Sequence, residues 1–158
     1  MATAKSKLAA LPKVKVMKLN DKAMMPVKQT SGSVGYDLYV TESVRVYPTT
    51  TTDIAYKVGT GLAFEIPEGY HAKIFLRSST GANRKLRLAN GTGIIDSDYR
   101  GEVMLLIENV GFQYEHLDEG ERIAQMILEK NVEFTLEITE AVAETKRGEG
   151  GIGSTGTN

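Results

Sequence analysis

Residues 53–76 read DIAYKVGTGLAFEIPEGYHAKIFL. Three runs rich in β-branched and aromatic residues, 53–58, 62–66 and 71–76, are separated by Gly59-Thr60-Gly61 and by Pro67-Glu68-Gly69. Runs this short, punctuated by glycine and proline, have the length and spacing of strands joined by tight turns. The same pattern extends outward in both directions. Residues 13–19 set Val14 and Val16 on one face against Lys13 and Lys15 on the other, and 36–40, 44–47 and 103–107 are further β-rich runs. Residues 132–138 alternate cleanly, with Val132, Phe134, Leu136 and Ile138 on one face, which predicts another half-buried strand. The spacing of these runs predicts an all-β sandwich or barrel. One segment fits poorly: in 122–128, Ile123, Met126 and Ile127 fall at i, i+3, i+4, so periodicity alone leaves helix and strand open.

The chain has 158 residues, enough for one domain with an ordinary core, and its 41% hydrophobic and 25% charged residues are those of a globular protein. It has no cysteine, which excludes disulfides, thiolate metal sites and a cysteine nucleophile, and two histidines leave little scope for an imidazole zinc site. The net charge of −1 provides no global basic field, so nucleic acid is not an expected partner. Residues 1–28 nonetheless carry seven lysines against one acid, Asp21, read here as a solvated tail and the outer face of a first strand. No apolar run is long enough to span a membrane and no signal-peptide core is visible, so the expectation is a cytoplasmic, intracellular protein without a membrane partner. Three regions are expected: a mobile N-terminal tail over 1–12, one β-domain over 13–146, and an arm over 147–158 that is too rich in glycine to hold a helix.

Four clusters carry chemistry. The arm, RGEGGIGSTG (147–156), matches the glycine spacing of a dinucleotide loop but leaves no room for the helix that such a loop requires. Its bare backbone and Arg147 can still wrap a phosphate. NGTGIIDSDYRGE (90–102) brackets an apolar pair, two aspartates and a tyrosine with glycines. Such a hairpin can bring backbone against a planar ligand, and Asp96 has the chemistry of a general base; an Asx-rich turn is the plain alternative. RSSTG (77–81) is an anion nest or a surface turn. GERIAQM (120–126) says little by itself.

Taken in order, VGYDLYV (34–40), RSSTG (77–81), GIIDSDYRGE (93–102), GERIAQMI (120–127) and RGEGGIGSTG (147–156) resemble the five motifs of the trimeric dUTPase family, over about residues 14–158. The resemblance implies a jelly-roll-like distorted β-barrel, with 122–128 as strand, and a homotrimer whose active sites are shared between subunits. It implies hydrolysis of dUTP to dUMP and pyrophosphate, with magnesium bound through substrate phosphates and waters and no direct protein ligand. Asp96 corresponds to the aspartate that activates water for attack on the α-phosphorus. Asn90, Gly93, Ile94 and Ile95 correspond to the uracil hairpin, Tyr99 to the tyrosine against deoxyribose, and Met104 to a substrate-lining position. Arg77, Ser78, Ser79, Gln125 and Arg147 correspond to phosphate-binding residues, and Asp37 to a group in the water or metal shell. Ile152, Gly153 and Ser154 belong to the lid.

Two departures from the family pattern stand out. Ser79 occupies the usual glycine position of the second motif, which is tolerable if the backbone there is not glycine-only. Ile152 stands where a phenylalanine usually stacks on uracil; it can cover the base without π-stacking. A looser lid is the consequence expected, so Ile152→Phe should lower KM for dUTP, and an unchanged KM would contradict it. The related dCTP deaminases need a glutamate on the strand after the hairpin, at the position of Leu106, with Glu108 offset by two. Some phage-borne family members also bind a repressor, so a regulatory protein partner is the alternative that the resemblance raises. A catalytically dead scaffold is opposed by the retained Asp96.

Overall fold

In the computed structural model, which describes residues 11–52 and 54–151, eleven strands and one short helix follow in sequence. They are β1 (Lys15–Lys18), β2 (Tyr36–Tyr39), β3 (Val44–Val46), β4 (Tyr56–Gly59), β5 (Leu62–Glu65), β6 (Tyr70–Leu76), α1 (Ser78–Asn83), β7 (Leu86–Leu88), β8 (Gly93–Ile95), β9 (Met104–Asn109), β10 (Glu115–Leu117) and β11 (Arg122–Lys130). The all-β expectation holds. The strands form four antiparallel sheets: β2-β11-β6-β8, β4-β9-β7, β1-β5 and β10-β3.

The turns read from sequence are where the chain reverses. Gly61 has φ +64° at the β4–β5 turn, and a Cβ there would come within 2.7 Å of Ala23 Cβ, so only glycine fits. Alternate residues of the strands point into one core built on Leu38, Val58, Leu62, Phe64, Leu105, Ile107 and Ile123. Each such side chain, fully buried, contributes about 1.5–3 kcal/mol by leaving water. Asn109 is the one fully buried amide among the described residues. Its Nδ2 donates to Val46 O and Gln113 O, both at 2.8 Å, and its Oδ1 accepts from Gly111 N–H at 2.8 Å, so burial leaves it satisfied.

The segment that looked helical is the longest strand, β11, and a β-bulge explains its pattern. The register with β2 shifts between Arg122 and Ala124. The extra residue lets both Ile123 and Ala124 face the core, after which Met126 and the half-buried Leu128 resume the period of two. Helix-like spacing of apolar residues is thus the signature of a bulge in this strand.

The strand predicted for residues 132–138 does not form. After Asn131, whose N–H donates to Gly69 O at 2.8 Å, the chain leaves the sheets. Val132, Phe134, Leu136 and Ile138 are 77–102% exposed. Their alternation is intact, but the segment pairs with no strand among the described residues, so its apolar side chains stay in solvent.

Candidate active site

The sheet β2-β11-β6-β8 carries most of the candidate residues, because four of the five motifs lie on or beside its strands. β8 is its edge strand, in register with β6 as Gly93↔Ile74, Ile94↔Lys73 and Ile95↔Ala72. Glycine at 93 eases the close approach: a Cβ there would sit 3.1 Å from Ile74 Cβ. Gly91, at φ +67°, turns the chain into β8, with its N–H donating to Leu88 O at 2.9 Å. The other edge of β8 has no strand neighbour among the described residues, which leaves a row of backbone donors and acceptors facing outward.

That edge forms one wall of a cavity of about 260 Å³, which Asn90, Gly93, Ile94, Ile95, Asp96, Tyr99 and Met104 line together. The core residues Ile74 and Leu88 also line it, as does the half-buried Leu106. Asp96 lies exposed just past the end of β8. Tyr99 N–H donates to Asp96 O at 3.2 Å, and Arg100 Nη1 donates to Ser97 O at 2.6 Å, so the loop after Asp96 is a closed turn. Leu106 faces this cavity, whereas Glu108 points to Arg87, whose Nε donates to it at 2.8 Å. No carboxylate therefore takes the place that a deaminase base would need.

A second group gathers at the opposite end of the same sheet. Asp37 and Gln125 are directly paired between β2 and β11, so their side chains share a face. The Asp37 side chain is only 9% exposed and lies between two guanidinium groups: Arg77 Nε at 3.3 Å and Arg122 Nη1 at 3.2 Å. The pair of arginines outnumbers the single carboxylate, which leaves a surplus positive charge suited to an anion. Arg77 Nη1 also donates to Arg122 O at 3.1 Å, and Gln125 Nε2 donates to Leu76 O at 3.4 Å. Gly35 makes room for Gln125, since a Cβ there would lie 2.5 Å from Gln125 Oε1.

Arg77 is the N-cap of α1, and Ser78 and Ser79 are exposed in its first turn. The sequence reading of this stretch as a nest or turn missed the helix. Ser79 has no positive φ, so serine is accommodated at a position where the family pattern has glycine. Beside it, burial pulls Arg84 down, but hydrogen bonds and charge from Glu115 and Glu121 outweigh this and raise it, keeping it firmly charged.

In one chain these two groups do not meet. Ile95 pairs with Ala72, and Arg77 lies five residues farther along the strand, about 17 Å at 3.3 Å per residue. Arg147 is in neither group: it is exposed, and its Nε donates to Gly150 O at 2.7 Å within its own turn. Ile152, Gly153 and Ser154 lie outside the described residues. Arg122 is a member of the Asp37–Arg77 group that sequence reasoning missed. Three residues from Gln125, it would point to the other face of a regular strand, and the bulge at Ile123 turns it onto Asp37.

The dUTPase family model matches residues 21–156. A deoxyuridine 5'-triphosphate nucleotidohydrolase of Nautilia profundicola is 39% identical over 144 residues, covering 91% of this chain and 99% of that protein. One of Helicobacter pylori is 34% identical over 146 residues, covering 92% and 98%. Among solved structures, the Staphylococcus bacteriophage 80alpha dUTPase with dUPNHPP is similar with a TM-score of 0.80 at 26% identity, over 92% of this chain and 99% of that one. It is described in connection with phage dUTPases that control transfer of virulence genes. The dUTPase of phage phi11 of S. aureus, described for its coordination of a structural Mg(II) ion, shares the fold with a TM-score of 0.73 at 22% identity, over 82% and 97%. With the family model spanning most of its length and two relatives above 30% identity over almost all of theirs, this chain belongs to the dUTPase family.

Proposed function

We propose that this chain, working as a homotrimer, hydrolyses dUTP to dUMP and pyrophosphate. The observation that carries the reading is the cavity walled by an unpaired strand edge, with a carboxylate at its mouth. Uracil presents a donor flanked by two carbonyl acceptors, and the backbone edge of β8 with Asn90 offers complementary groups. In this reading the apolar lining behind it would refuse a 5-methyl group, and the Tyr99 ring would exclude a 2′-hydroxyl.

In the proposed reaction Asp96 accepts a proton from a water molecule. The water oxygen bonds to the α-phosphorus, the bond from that phosphorus to the bridging oxygen of the β-phosphate breaks, and pyrophosphate leaves. Arg77, Ser78, Ser79 and Gln125 hold phosphate oxygens, and Arg147 reaches the γ-phosphate from the arm, where Ile152, Gly153 and Ser154 cover the base. The described residues contain no cluster of three His, Asp or Glu side chains arranged for a metal. In this reading a magnesium ion would arrive on phosphate oxygens and waters, with the Asp37 carboxylate, held between Arg77 and Arg122, in its outer shell. Magnesium, when bound, supplies neutralisation of the triphosphate charge. In the cell the reaction would limit uracil incorporation into DNA and supply dUMP for thymidylate synthesis, in the cytoplasm; no helix among the described residues is long and apolar enough to cross a membrane.

The trimer reading is supported by the separation of Asp96 from Arg77 within one chain and by the unmatched apolar stripe at 132–138. Hydrolysis in ¹⁸O-labelled water tests the reaction: label in dUMP and none in pyrophosphate is expected, and label in pyrophosphate would place the attack on another phosphorus. A second, additional reading is a regulatory protein partner, favoured by the likeness to the phage 80alpha enzyme. Capture of a repressor by this chain, competed by dUTP, would support it, and absence of competition would oppose use of the same site.

A further inference from the structure

We infer that Glu102 is a positioning residue for Tyr99, and through it a determinant of deoxyribose over ribose; the inference rests on the dUTP reading above. Tyr99 is 44% exposed, so packing alone does not hold its ring. Its Oη donates to the backbone carbonyl of Glu102 at 3.0 Å, and the ring lies over Gly101, where a Cβ would come within 2.7 Å of Cζ. The Glu102 backbone is held on one side by the bonds of Val103 and on the other by its own side chain. Oε1 accepts from the N–H of Gly61 at 2.7 Å, tying the loop to the β4–β5 turn, 41 residues away in sequence.

The turn is shaped to receive this carboxylate. A Cβ on Gly59 would lie 2.7 Å from Glu102 Oε1, so glycine there leaves room for the carboxylate. The neighbouring bonds continue the clamp into the core: Thr60 Oγ1 donates to Val103 O at 2.7 Å, and Val103 N–H donates to the carbonyl of the fully buried Leu62 at 2.8 Å. Core, turn, Glu102 and Tyr99 are thus linked in series. A 2′-hydroxyl is one added oxygen, and pockets of ordinary stiffness reject such an isostere by only about 10². A ring free to shift by about 1 Å forfeits most of that.

The test is kcat/KM for dUTP and for UTP in wild type, Glu102→Ala, Glu102→Gln, Tyr99→Ala and Tyr99→Phe, with melting and light scattering to report fold and assembly. Glu102→Ala should lower the dUTP:UTP ratio about tenfold, in the same direction as Tyr99→Ala. Glu102→Gln, which keeps an oxygen acceptor for Gly61 N–H, should restore the ratio to within about threefold of wild type. An unchanged ratio in folded Glu102→Ala, alongside a collapsed one in Tyr99→Ala, would overturn the inference and leave the dUTP reading standing. An unchanged ratio in Tyr99→Ala would remove the ring from sugar selection and overturn the inference with it, whereas a wild-type ratio near one would contradict the dUTP reading itself. Should Glu102→Ala fail to fold, Tyr99→Phe decides, because it removes only the Oη donor: a lowered ratio supports the series of contacts, and an unchanged one refutes it.

Discussion

Asp96→Asn should lower dUTP turnover by about 10²–10⁴-fold while nucleotide binding stays near wild type. Asparagine has nearly the shape of aspartate but no carboxylate to take a proton, so the base is lost with little change in volume. The side chain is exposed at the end of β8, and it makes none of the core contacts that hold the hairpin. Neither the fold nor the cavity should suffer. Steady-state turnover, paired with the dissociation constant of a non-hydrolysable dUTP analogue, separates the two effects. Turnover within a few-fold of wild type would remove Asp96 from the proposed chemistry. Equal losses of turnover and binding would assign it to holding substrate instead.

The double substitution Phe134→Asp with Leu136→Asp should give monomers and a loss of turnover of at least about 10³-fold. Both side chains are exposed in the single chain, at 77% and 91%, so their replacement costs that chain little stability. In an assembly the same alternating stripe would be buried, and two carboxylates there would be desolvated without partners. Once subunits separate, Asp96 lies farther from Arg77 than the about 17 Å that part Ile95 from it along the sheet, and the advantage of holding water and phosphates in one geometry is gone. Light scattering and activity measured on one sample check this. A monomer with full turnover would mean that a single chain completes its own site, and a trimer that survives both charges would mean that the stripe is not the subunit contact.

How much of this was legible beforehand depended on whether a feature is local. Gly59-Thr60-Gly61 and Pro67-Glu68-Gly69 announce turns by their own backbone preferences, and the strands between them followed. The nature of 122–128 did not follow, because a bulge depends on the partner strand β2, and its extra core residue imitates helical spacing. Residues 132–138 have the alternation of a strand, yet alternation alone does not create the pairing, and among the described residues the segment joins no sheet. At the site, the hairpin around Gly93 and Asp96 was visible as a cluster of glycines and aspartates. Arg122 and Glu102 were not, since one acts through a bulge and the other through a turn 41 residues away. Gly59 and Gly61 read as ordinary turn glycines, and only the folded chain shows why a side chain cannot stand there: the Glu102 carboxylate lies against Gly59, and Ala23 against Gly61, whose φ is positive.

The most direct measurement is the rate of pyrophosphate release from dUTP, dTTP and UTP presented separately to the same preparation with magnesium. Selective release from dUTP is expected, with dTTP refused at the apolar wall behind β8 and UTP at the Tyr99 ring. Comparable rates on all three, or none on dUTP, would contradict the proposed function.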